Sequence, residues 1–167
     1  MDGQTLKICR YLQQRLQTMG HTAEVFAIGQ AAGPDPAAFD QIVIGASIRY
    51  GKYRPEVFRF IEAHREALQR MPGAFFSVNV VARKPARNTP ESNPYLRTFR
   101  RNTTWVPDAV AVFAGKIDYQ RYRYFDRLVI RLIMWLTKGP TDPAACVEFT
   151  DWQAVERFAL RVGSGTE

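Results

Sequence analysis

Three stretches carry residues whose types and spacing could do chemistry. The first is Gln41 to Tyr53, Q-I-V-I-G-A-S-I-R-Y-G-K-Y. Ile42, Val43 and Ile44 form a short β-branched run, the mark of a strand buried on both faces. Gly45, Ala46 and Ser47 follow, all small, then Ile48, Arg49, Tyr50, Gly51 and Tyr53, and Pro55 opens a helix. A buried strand, a small-residue turn and a helix start make half of an α/β unit. Open α/β sheets bind ligands just beyond the carboxyl ends of their strands, so Ala46 to Tyr53 is expected to meet one. The small residues would let the backbone approach it, Arg49 offers fixed positive charge, and Tyr50 offers a flat face. The plainer reading is an ordinary strand-to-helix loop with a surface Arg and Tyr.

The second stretch, Val81 to Pro107, separates two predicted strands by 27 residues. That length exceeds a plain connection and suggests a functional insertion. It carries Arg83, Lys84, Arg87, Arg97, Arg100 and Arg101 beside Tyr95, Phe99 and Trp105. Basic and aromatic side chains mixed this way could hold a flat anionic ligand by ion pairing and stacking, or equally RNA. A solvated basic loop with a helix inside it is the alternative. The third stretch, Tyr122 to Thr137, reads as a helix with apolar residues on too much of its surface and Arg121, Arg123, Arg127, Arg131 and Lys138 along it. Such a helix suits a membrane interface, a partner or homo-oligomer face, or burial against the sheet.

The elements that must position these stretches alternate. Helices are predicted over Leu6 to Met19, Pro55 to Arg70, Tyr122 to Thr137 and Asp151 to Val162. Strands are predicted over Thr22 to Ile28, Gln41 to Gly45, Ala74 to Val80 and Ala109 to Ala114. Alternation of this kind implies one α/β domain spanning residues 1–167, a parallel sheet with helices on both faces. Ile8, Leu12, Leu16 and Met19 mark one face of the first helix, and Gly20 is its left-handed stop.

The net charge of +7 favours anionic partners. Cys9 and Cys146 fit neither a disulfide framework nor a zinc site. His21 and His64 are too isolated to suggest a metal, and no catalytic dyad or triad can be nominated. With no apolar run long enough to span a bilayer and no signal peptide, the expectation is a cytoplasmic protein, with peripheral membrane contact left open.

Several motifs together resemble one family. They are D-G-Q-T at Asp2 to Thr5, V-I-G-A-S-I-R-Y-G at Val43 to Gly51, F-S-V-N-V-V-A-R-K-P at Phe76 to Pro85, the Y-x-R-Y-R-Y-F-D-R pattern at Tyr119 to Arg127, and T-D-W at Thr150 to Trp152. The chain is similar over nearly its whole length to the quinone-dependent protoporphyrinogen oxidases, which are flavodoxin-like. The resemblance implies FMN at the carboxyl edge of the sheet and oxidation of protoporphyrinogen IX to protoporphyrin IX in heme synthesis. It implies electron transfer to menaquinone or ubiquinone, and a peripheral position on the cytoplasmic face of the bacterial inner membrane, with no nucleic acid expected.

On that resemblance Met1, Asp2, Gly3, Gln4 and Thr5 end a phosphate loop that opens the first helix. Ala46, Ser47, Ile48, Arg49, Tyr50 and Gly51 would border the flavin. So would Phe75, Phe76, Ser77, Val78, Asn79, Val80, Val81, Ala82 and Arg83. Ser77 and Asn79 would make polar contacts to the ring edge, and Arg49 or Arg83 would stabilise negative charge on the reduced ring. Arg97, Arg100 and Arg101 would receive the substrate's propionates, and no metal is implied.

The chain departs from the family pattern at its start. A flavodoxin-like sheet has the strand order 2-1-3-4-5, and the strand before the phosphate loop is absent here. The expectation is either a true start upstream or a truly truncated chain that binds FMN poorly or folds with a rearranged sheet. Two other functions compete. One is a flavodoxin-like electron carrier or NAD(P)H–quinone reductase, which the basic charge disfavours. The other is a cofactor-free basic module that binds nucleic acid or anionic membrane.

Overall fold

The computed structural model describes residues 3–29, 35–118 and 146–165. Met1, Asp2 and the predicted helix Tyr122 to Thr137 lie outside them. Three parallel strands form the sheet, in the order β1 (Ile42–Ser47), β2 (Gly73–Val78), β3 (Ala109–Phe113). Ile42 stands opposite Gly73, and Ala74 opposite Ala109. All six residues of β2 are buried, because this strand has neighbours on both sides and helices on both faces.

Side chains alternate between the two faces, as strand geometry requires. Ile44, Ala46, Phe75 and Val112 point into one cluster, covered by α2 (Pro55–Ala63), α3 (Arg65–Arg70) and α4 (Pro94–Asn102). Ala74, Phe76, Val78 and Phe113 point into the other, covered by α1 (Gln4–Thr18) and the helix Trp152–Gly163, here α5. The predicted stripes do most of the covering, but in α1 Leu16 is only partly buried and Met19, just past the helix end, is exposed. Ile8 and Leu12 of α1 are buried, as are Val155, Phe158, Ala159 and Val162 of α5. Gly20 ends the α1 turn with a φ of +91°. Asp151 caps α5 by accepting from the N–H groups of Gln153 and Ala154. The side chains of Arg15 and Tyr11 both donate to Glu156, which joins the two helices.

Several expectations are corrected. Thr22 to Ile28 forms no strand. Among the described residues β1 pairs on one side only, with β2, and a segment with no neighbour has nothing to form a ladder with. The predicted helix Pro55 to Arg70 breaks at His64, which separates α2 from α3. A short antiparallel pair, β4 (Lys116–Asp118) with β5 (Cys146–Glu148), was not foreseen.

The segment after β2 is also less of an insertion than its length suggests. Its second half is the crossover helix α4, with Leu96 and Phe99 fully buried and Phe99 stacked on Phe75 at 3.8 Å between ring centroids. Only residues 80–93, built on two 3₁₀ turns, are added to a plain β-α-β unit.

Candidate functional site

Parallel strands put one kind of edge at each end of the sheet. At the carboxyl edge, Ile48 N–H donates to Val78 O (2.9 Å) and Asn79 N–H to Phe113 O (3.1 Å), so the chain leaves all three strands at one level. The start of α1 is tied to this edge. Gln4 Nε2 donates to Thr150 Oγ1 (2.8 Å) and Glu148 Oε1 (3.0 Å), and Thr150 Oγ1 donates to Ala114 O (2.7 Å). Gln4 is buried, so its amide braces the helix and its backbone N–H is the group left for an anion. Gly3 has a φ of +67° and open space where a Cβ would stand. The first N–H groups of a helix have no acceptor within it, and with the helix dipole they form an anion site; here Thr5 sits in that first turn.

Glu148 also pairs with Lys7 (2.9 Å) and accepts from Trp152 Nε1 (2.7 Å). Partial burial raises its carboxyl pKa, but the hydrogen bonds from Lys7, Gln4 and Trp152 outweigh this and hold it below its ordinary value.

Beyond β1 the chain makes a tight turn. Arg49 N–H donates to Lys52 O (2.9 Å) and Lys52 N–H to Arg49 O (3.0 Å), enclosing Tyr50 at φ +48° and Gly51 at φ +76°. Two consecutive positive φ values define a mirror-image turn that favours Asn-Gly. A Tyr in the first place costs about 1–2 kcal/mol. Tyr50 is 67% exposed, with the Arg49 guanidinium 5.6 Å from its ring centroid. A strained backbone thus presents an exposed ring at the carboxyl edge of the sheet.

Other predicted site residues have different work. Gly45 and Ala46 lie inside β1 rather than in the turn, and they are small for the core: a Cβ on Gly45 would stand 2.2 Å from the Phe76 ring. Ser47 is the exposed last residue of the strand. The side chains of Phe75, Phe76, Val78 and Ala82 are buried in the two cores. Ser77 and Asn79 are buried as well, in a polar chain. Tyr53 donates its hydroxyl to Ser77 Oγ (2.9 Å), Asn79 Nδ2 donates to the same oxygen (3.2 Å), and Asn79 Oδ1 accepts from Ala82 N–H (3.1 Å). Burial pushes the Tyr53 phenol up to about 12. Val80 and Val81 open the 3₁₀ turn after Asn79, both partly exposed, and Arg83 Nη1 donates to Val80 O (3.3 Å).

The three arginines assigned to the substrate are exposed on α4 but do not stand together at the edge. Asn93, at the start of α4, donates to Asn79 at the carboxyl edge (3.3 Å). After α4, Trp105 Nε1 donates to Leu68 O, and Asp108 exchanges hydrogen bonds with Gly73, the first residue of β2. The helix therefore runs from the carboxyl edge to the amino edge. Arg97 lies in its first half. Arg100 and Arg101 lie roughly 9–10 Å along the axis from Pro94, toward the far edge.

Sequence reasoning missed Asn93 as part of this edge, and it named Tyr53 and Thr150 without the hydrogen bonds that the structure gives them to Ser77, Gln4 and Ala114. Asn93 carried a signal, because Asn before Pro is a helix cap followed by the favoured first residue. Among the described residues no group of His, Cys, Asp and Glu could hold a metal, and no helix is long and apolar enough to cross a membrane.

The parallel sheet and the helical layers on its two faces define a flavodoxin-like α/β protein, and the family described as Flavodoxin domain matches residues 1–144. Protoporphyrinogen IX dehydrogenase [quinone] of Escherichia coli (strain K12) is 44% identical over 166 residues, 99% of this chain and 92% of the relative. A protein of the same name from Leishmania major is 45% identical over 123 residues, 74% of this chain and 53% of the relative. The chain belongs to this family of flavodoxin-domain oxidoreductases. No solved structure gives a significant match.

Proposed function

We propose that the chain oxidises protoporphyrinogen IX to protoporphyrin IX, with FMN as cofactor and menaquinone or ubiquinone as electron acceptor. The observation that carries this reading is the 44% identity, over nearly the whole chain, to relatives of that name. The carboxyl edge supports it, because its residues fit a flavin mononucleotide. The open Gly3 and the first turn of α1 suit a phosphate. Tyr50 supplies a flat face, and the N–H groups that open the 3₁₀ turn Val80–Arg83 suit the polar rim of the ring. The flavin supplies the electron-transfer chemistry when bound. The protein's share is to hold the phosphate at α1, flank the ring with the Tyr50 turn, and keep the edge rigid through Tyr53, Ser77 and Asn79. Arg49 and Arg83 place positive charge beside this edge, where it would stabilise the reduced, negatively charged ring.

A quinone resides in the bilayer, so this activity implies peripheral contact with the cytoplasmic face of the inner membrane. The test is porphyrin fluorescence from protoporphyrinogen IX, measured with purified protein, FMN and a quinone against an autoxidation control. Quinone-dependent porphyrin above that control supports the reading. NADPH oxidation with quinone but no porphyrin would replace it with a reductase, and a salt-sensitive RNA shift with no flavin bound would replace it with a binding module.

A further inference from the structure

We propose that Lys84 and Arg87 form the subsite that receives the carboxylates of the substrate, with Asn93 as the positioning residue that holds them at the ligand edge. This rests on the reading of the substrate as an apolar macrocycle with two propionates.

Residues 80–93 form a strap that leaves β2 at the carboxyl edge and returns to the same place. Both ends are pinned there by buried amides. Asn93, 0% exposed, donates from Nδ2 to Asn79 Oδ1 (3.3 Å) and to Arg87 O (2.8 Å); Asn79 is 3% exposed. Asn93 also caps α4 through Oδ1, which accepts from Tyr95 N–H (3.1 Å). Burying two amides is unfavourable unless each is satisfied. Here the satisfied pair fixes the backbone of Arg87 against the end of β2.

Lys84 and Arg87 bracket the 3₁₀ turn Pro85–Arg87, closed by Arg87 N–H donating to Lys84 O (2.8 Å). Lys84 is the extended residue that caps this turn (φ −88°, ψ 127°), and Arg87 is its last. The two cations therefore lie three positions apart on a pinned strap, and neither forms an ion pair among the described residues. The basic residues of the α2–α3 pair differ: Arg54 and Arg59 pair with Glu56, Arg65 with Glu62 and Arg70 with Glu66. Two cations on a pinned backbone beside this edge, without an ion pair among the described residues, suit a dicarboxylate. Arg100 and Arg101 lie toward the opposite edge.

The experiment uses the flavin-loaded protein with two probes, protoporphyrin IX and its dimethyl ester, titrated by fluorescence, alongside quinone-dependent oxidation of protoporphyrinogen IX. Lys84→Gln/Arg87→Gln should weaken binding of the diacid by about five- to tenfold. Binding of the ester, flavin content and kcat should stay unchanged, with KM rising in step. Asn93→Ser, which can still cap α4 but cannot reach Asn79 and Arg87, should shift the diacid in the same direction and less far. Arg59→Gln/Arg70→Gln removes the same charge elsewhere and should change neither probe. Equal effects on diacid and ester, no effect of the double variant, or loss of diacid preference in Arg100→Gln/Arg101→Gln instead would overturn the subsite. Diacid binding that depends on Lys84 and Arg87 without turnover would keep the subsite and refute the proposed reaction. Wild-type protein that binds neither probe would refute both.

Discussion

Gly45→Ala separates two reasons for a small residue beside a ligand edge. If Gly45 is small so that a cofactor can approach, an added methyl should weaken flavin binding and leave stability alone. The structure gives the other reason. The new Cβ would stand 2.2 Å from Phe76 Cζ and under 3 Å from both Cε atoms. Phe76 is fully buried, with its ring centroid 5.6 Å from that of Phe113 and 6.1 Å from that of Phe158, so it has little room to withdraw. Overpacking of this kind costs about 1–3 kcal/mol, and a fully buried ring puts the value near the top of that range. For a chain of this size about 3 kcal/mol lowers Tm by roughly 6–12 °C. Phe76→Leu removes the obstructing atoms, so Gly45→Ala/Phe76→Leu should be more stable than the sum of the single changes by about 1–2 kcal/mol. Thermal melts of the four proteins, with flavin titrations of each, give the answer. Additive effects, or a flavin defect in Gly45→Ala without a melting shift, would refute the packing argument.

Tyr50→Asn should relieve the left-handed strain, raise Tm by roughly 2–4 °C and weaken flavin binding; an unchanged or lower Tm would discredit the strain. Tyr53→Phe removes one donor from the buried chain to Ser77 and should cost about 1 kcal/mol in chemical denaturation; a neutral result would mean that the hydroxyl does not brace the edge. Glu148 has a depressed folded pKa, so its contribution is full above the unfolded value of about 4.3 and is lost as pH falls through the folded one. Melts from pH 6 to pH 3 should therefore fall less steeply for Glu148→Gln than for wild type, and parallel curves would count against this role.

Local pattern made most of the framework legible. The β-branched run Ile42 to Ile44, the stripes of α1 and α5 and the stop at Gly20 follow from side-chain period and backbone sterics, which neighbours in sequence determine. The same information marked the carboxyl edge, because a parallel sheet must turn at its carboxyl ends. Tertiary structure decided what each residue at that edge does. Whether Gly45 is small for a ligand or for a ring depends on Phe76, 31 positions away in sequence. Whether Ser77 and Asn79 face a cofactor depends on Tyr53 and Asn93, which reach them first. Whether an arginine of α4 stands at the ligand edge depends on the direction of a crossover helix that sequence counts only as length. Thr22 to Ile28 has the composition of a strand and forms none, because a strand is completed by its neighbour's backbone and not by its own side chains.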